Sequence, residues 1–125
     1  MTSLSIFQTT VLHLAARYEC SAELVKILIE AGADVDAVNS AQSSLLHYAS
    51  QHNPAIVRVL LEAGAKVNVL NKYQRSPLFW AAWFDQEASV IALMAASADP
   101  HLGESPLTSS DVSDEMKTLI KSLWK

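Results

Sequence analysis

Four histidines, one cysteine and a few spaced carboxylates are the residues of this chain best equipped for chemistry. A zinc or catalytic metal site needs cysteine, histidine or carboxylate partners at ligand spacing. None surrounds His13 or His47, and His52 and His101 read as solvated loop residues. Cys20 is the sole cysteine, so neither an intramolecular disulfide nor a paired-thiolate site can form. As a nucleophile it would need a base and an orienting group; it reads as an inert thiol. Asp34 and Asp36 could act as a carboxylate pair, but they follow a glycine in a polar stretch, where such residues usually accept turn hydrogen bonds. Gly32, Gly64 and Gly103 cannot spell a phosphate-cradling loop. Lys117, Lys121 and Lys125 share a helical face at i, i+4 spacing. That is either the wet, dipole-matched side of a terminal helix or a stripe for phosphate or acidic groups. No residue is assigned a catalytic, cofactor or metal role, and the expectation is a protein that is not an enzyme.

Composition narrows the classes further. The chain has 125 residues, 50% hydrophobic and 18% charged, enough apolar content for a core in one domain. Its net charge of −4 and pI of about 5.4 weigh against a nucleic-acid binder, which needs clustered Lys and Arg. The first residues lack the basic and apolar regions of a secretory signal, so the expected location is cytoplasmic or otherwise intracellular. Residues 79–98 are apolar enough and long enough to suggest a membrane span. Asp85, Gln86 and Glu87 interrupt them at the centre, where charge is costly in lipid. The interruption reads as a turn between two short helices.

The elements that must carry these residues repeat. Val11-Leu12-His13-Leu14-Ala15 aligns with Leu45-Leu46-His47-Tyr48-Ala49, and VKILIEAGADVDAVN with VRVLLEAGAKVNVLN. A third copy begins at Ser76 and a degraded fourth at Ser105. A period slightly above 30 residues marks a stacked array. Each copy holds two apolar runs at helical spacing. In the first two, Gly32 and Gly64 stand where a helix end takes the left-handed conformation. Pro54 can open a helix. The polar stretches 34–43 and 66–75 read as extended turns or hairpins. Neither helix of a copy can bury its apolar face alone, so the copies must stack.

The motifs resemble the ankyrin repeat. Thr10-Val11-Leu12-His13-Leu14-Ala15 fits the T-P-L-H-x-A signature, and Ser44 to Ala49 and Ser76 to Ala81 fit it more loosely. Leu60-Leu61-Glu62-Ala63-Gly64-Ala65-Lys66-Val67-Asn68 is similar to the usual end of the second helix. The resemblance covers residues 9–102 best. It implies an all-α solenoid of helix-turn-helix units with short β-hairpin loops, the hairpins at the lower limit of strand length. A single domain, 1–125, would hold repeats at about 9–38, 39–70 and 71–102 and a degenerate capping repeat at 103–125. The last helix, about 114–122, would tuck Met116, Leu119, Ile120 and Leu123 against the third copy, and Leu4, Ile6 and Phe7 would cover the other end. Relative to the family, the loop between helices is one residue longer in the first copy and one shorter in the second. In the third, Ser97 replaces the glycine and Phe79 the histidine. The resemblance implies a structural role for His13 and His47, each ring bonded to backbone between repeats. It gives Asn68 two readings: a hairpin-holding side chain, or the asparagine that a hydroxylase modifies in animal ankyrin repeats.

Function follows the same resemblance. Partners of this family usually meet the hairpin tips and the concave face of the first helices. Carried over by position, the partner-binding residues are Arg17, Tyr18, Gln51, His52, Lys72, Tyr73, Arg75, Trp83 and Phe84, with Ser40, Ala41 and Ser43 at hairpin contact positions. Tyr, Trp and Arg are the types enriched at binding hot spots. The competing reading folds the last copy over Trp83 and Phe84 as core, and Trp80 is balanced between the two. The expected function is a non-catalytic protein-protein interaction module, an adaptor or occluding inhibitor, monomeric on its own. It would bind another protein, with no cofactor, small-molecule substrate, nucleic acid or membrane. A pathogen or viral effector acting on a host protein by the same means is the alternative. An enzyme or a nucleic-acid binder is the alternative of another class.

Overall fold

The computed structural model describes residues 22–124 apart from 33, 37, 39 and 40, and omits the side chains of Leu24, Leu28 and His52. The expectations placed on Leu4, Ile6, Phe7, His13 and Cys20 lie outside these residues.

Six helices form among the described residues: α1 Ala22–Glu30, α2 Leu45–His52, α3 Pro54–Glu62, α4 Pro77–Trp83, α5 Glu87–Ala95 and α6 Asp114–Leu123. Their starts are written in the sequence. Ser44, Ser76 and Ser113 each accept a backbone N–H of the first turn on the side-chain oxygen. Pro54 and Pro77 occupy first-turn positions, where a missing N–H costs nothing. Asn53 alone joins α2 to α3, ending the first and capping the second through Ile56 N–H. Three residues, Phe84 to Gln86, join α4 to α5. The short second-copy loop is thus met by one residue with two jobs.

The helices pack in two rows. α2 and α4 stack side by side in one, and α1, α3, α5 and α6 succeed one another in the second. Each pair, α2 with α3 and α4 with α5, also packs internally. The core runs unbroken between the rows, from Val25 through Leu45, Leu46, Ile56, Val57 and Leu60 to Leu78, Val90, Leu93 and Ile120. Each large aliphatic side chain fully buried there contributes about 1.5–3 kcal/mol. α6 buries Met116 and Ile120 and half-buries Leu119 and Leu123 against this core, as its apolar stripe predicts. Among the described residues, no helix stands beside α4 at the far end of the first row. Residues 98–113 pass there as turns, because T-S-S-D-V-S-D favours caps and turns over helix.

The expected hairpins are barely strand-like. One isolated antiparallel bridge, Val38 with Ser44, is the only β pairing among the described residues. Side chains hold the loops instead. Asp36 accepts the Lys66 N–H at 2.8 Å while its own N–H donates to Asp34. One repeat later, Asn68 accepts the Asp99 N–H at 2.8 Å and donates to the Ser97 carbonyl at 3.2 Å. These bonds support the turn reading of Asp34 and Asp36 and the hairpin reading of Asn68. Ser97 takes the glycine-type conformation at φ +73°, a backbone state that costs a residue with a Cβ about 1–2 kcal/mol. No described helix is long and apolar enough to cross a membrane, and residues 79–98 hold two helices and a turn.

Candidate functional site

The site grows from one buried histidine. Ser44 and His47 form a reciprocal cap: the Ser44 hydroxyl accepts the His47 N–H, and His47 Nδ1 accepts the Ser44 N–H at 3.0 Å. Nδ1 therefore carries no proton, and Nε2–H donates to the Arg75 carbonyl at 2.9 Å. Burial lowers the ring's pKa from 6.5 to about 4, against a smaller opposing pull from that carbonyl. The imidazole is a neutral tie between repeats, the structural role that the resemblance implied.

Asn71 secures the same strand of backbone. It is buried, and its Oδ1 accepts the N–H groups of Tyr73 at 2.9 Å and Arg75 at 3.2 Å. Its own N–H donates to the Arg75 carbonyl at 3.1 Å. Gln74, between them, takes φ +63°. Arg75 is thus fixed at both its N–H and its carbonyl before its side chain begins.

That side chain lies across an aromatic group. The guanidinium carbon is 5.1 Å from the Phe79 ring centre, 5.3 Å from Trp80 and 4.8 Å from Trp83. Phe79 is buried at the helical position that His47 holds one repeat earlier. Trp80 and Trp83 stack at 5.1 Å with an interplanar angle of 3°, and Phe84 tilts against both. Each such pair adds about 0.5–1.5 kcal/mol beyond simple burial. Trp80 and Trp83 remain half-buried, and Phe84 is 48% exposed. The last copy therefore does not close over these rings.

The structure gathers Arg75, Trp80, Trp83 and Phe84 on and beside α4. Lys72 and Tyr73 stand exposed on the adjoining turn, with Lys72 Nζ 5.4 Å from the Tyr73 ring centre. Gln51 is half-buried on α2. Arg17 and Tyr18, and Ser40, lie outside the described residues, as does the side chain of His52, the last residue of α2. Ser43 departs from its expected contact role: it is buried, and its hydroxyl accepts Asn71 Nδ2 at 3.3 Å. The reason is the tight approach of successive loops, which puts this position inside the inter-repeat bond network.

Three residues of the site carried no expectation. Asn71 had only its Asn-x-Tyr turn context as a signal. Glu104 reaches Arg75 Nε at 3.4 Å, and its N–H donates to the Gln74 carbonyl at 2.7 Å. Gly103 sits so close to the loop that a Cβ would collide with the Gln74 carbonyl oxygen and come within 2.6 Å of Leu70 Cδ2. Gly103 and Glu104 strap the segment after α5 to the turn that bears Gln74 and Arg75.

No group of three or more metal-ligating side chains occurs among the described residues. The arrangement offers stacked rings and cations on a rigid frame, suited to holding another molecule by surface contact.

Comparison with known proteins agrees on the architecture. Residues 12–104 match the family model for ankyrin repeats in three copies. No curated protein matches the chain significantly. Ankyrin repeats generally mediate protein-protein interaction. With most of its length matched and its helices stacked pairwise in two rows, the chain belongs to the ankyrin-repeat family.

Proposed function

We propose that this protein is a non-catalytic docking module that holds a partner protein on the aromatic face of α4 and the turn before it. The observation that carries this reading is the stacked Trp80–Trp83 pair with Phe84 left 48% exposed, a cluster of large rings that the fold does not cover. Such rings, held in place by stacking, bury much area for little conformational entropy, the usual property of hot spots. The frame supports them: Arg75 is pinned by His47 and Asn71, and the two helix rows are continuous behind it. Binding of this kind would serve an adaptor or an inhibitor that occludes its partner's working surface.

The test is affinity capture from cell lysate with the wild-type chain and the Trp83→Ala/Phe84→Ala double variant, both first checked by circular dichroism and thermal unfolding. The expected outcome is a partner retained by the wild type and lost by a folded variant. A folded variant that keeps the same partner would move the docking surface elsewhere.

A further inference from the structure

Resting on the docking reading above, the charges around the rings point to the chemistry of the partner. Exposed stacked rings by themselves attract cations, through their negative faces. Here that role is already filled, because the Arg75 guanidinium lies 4.8–5.3 Å from three ring centres. A second cation brought to Trp80 or Trp83 would meet an arginine at close range.

Arg75 is also prepared to receive an anion. Its backbone is tied by His47 and Asn71, and its Nε faces Glu104 at 3.4 Å. That pair is the one ion pair of Arg75 among the described residues, and with side chains 27% and 43% exposed it is weak. A contact at Nε leaves the donors of the two terminal nitrogens for a carboxylate, which a guanidinium grips in a planar, two-point fashion. Lys72, on the same turn, is exposed and forms no ion pair among the described residues. At the opposite end of α4 the sign reverses. Asp85 and Glu87 follow Phe84 and are exposed.

We infer that the bound segment is an extended acidic peptide in which a carboxylate meets the Arg75 fork and a neighbouring apolar side chain lies on Trp83 and Phe84. Its orientation follows from the charges: the acid points toward Lys72 and the turn, and the apolar residue toward the Phe84 end, away from Asp85 and Glu87. Lys72 steers the approach and contributes mainly to the rate of association.

A displayed library of random dodecapeptides selected against the immobilised full chain tests this without presupposing the charge. The expected winners carry Asp or Glu beside an aromatic or aliphatic residue. Their affinity falls at least about tenfold for R75Q, falls for R75K, which keeps the charge and loses the fork, and drops between about 50 and 200 mM salt. Thermal unfolding of each variant shows whether its frame is intact, and the salt series on the wild type needs no variant. Basic or neutral winners that still require Trp83 and Phe84 would overturn the acidic assignment and leave the docking surface standing. Winners indifferent to Trp83→Ala/Phe84→Ala would overturn both. A selection that yields no Arg75-dependent binder overturns the acidic assignment as well.

Discussion

The second and third repeats place different residues at one helical position, and the difference separates scaffold from surface. In the second, His47 ties its own cap to the next loop through two ring nitrogens. In the third, the Phe79 ring has no nitrogen to offer, and Ser76 caps α4 one way only, through the Phe79 N–H. The array explains the change. A helix stacks beside α2, so a tie toward the next repeat has a target. Among the described residues no further helix extends the row beyond α4, and the ring at that position supports Arg75 and Trp83 instead. The same backbone position thus serves cohesion between repeats at His47 and supports the exposed ring cluster at Phe79.

The comparison can be broken first at the tie. His47→Phe substitutes a somewhat larger apolar ring, takes the acceptor from the Ser44 N–H and leaves the Arg75 carbonyl with the Asn71 N–H alone. Urea unfolding is expected to show a loss of about 2–3 kcal/mol. The variant also changes the pH response. The unfolded ring takes a proton below pH 6.5, the folded one only near 4. Between those values the unfolded state binds more protons, so wild-type stability falls on acidification by up to about 1.4 kcal/mol per pH unit from this group. This contribution is fully present above pH 6.5 and should vanish from the His47→Phe profile.

A smaller effect is expected at the strap that ends the third repeat. Gly103 and Gly64 both adopt positive φ, +62° and +87°. A Cβ at Gly64 meets nothing within 4 Å, whereas one at Gly103 strikes the Gln74 carbonyl. Gly64→Ala should cost about 1 kcal/mol and Gly103→Ala about 2 kcal/mol or more. Equal losses in thermal unfolding would show that the strap yields freely and does not fix the loop that bears Arg75.

The smallest change has the opposite sign. Ser89 in α5 holds the place of the core residue Ile56 in α3, and its buried hydroxyl has no hydrogen-bond partner among the described residues. Ser89→Ala should stabilise the protein by about 1 kcal/mol, since it removes an unsatisfied polar group and improves helix propensity. A loss of stability would mean that the hydroxyl does have a partner.

Much of this architecture was legible in the residues because repetition and helix punctuation are local signals. The paired leucines, the Pro54 start, the shorter second-copy loop and the turn role of Asp34 and Asp36 all follow from spacing and side-chain type. Bonds between repeats follow less readily. Asn71 meets Ser43, and His47 meets Arg75, each across 28 positions, so their partners depend on how the loops stack. The same limit explains Ser43, expected at a contact position and found inside the network. Ser97 could be placed by alignment with Gly64, but left-handed backbone at Gln42, Gln74 and Asp85 was hidden for another reason: no glycine announces it, and the packed frame imposes the conformation instead. The aromatic cluster was visible as composition, but its stacking and the arginine across it required the loop and the helix to be seen together.

The central claim is that the rings of the third repeat form a surface held by the frame, and not a core. It is tested most directly by acrylamide quenching of tryptophan fluorescence in a Trp124→Phe background, which isolates Trp80 and Trp83. Quenching of the folded chain at a substantial fraction of the rate seen in urea, with emission already shifted toward that of solvated indole, is the predicted result. Blue emission with little quenching in the folded state would show both rings sealed from solvent and would contradict the account.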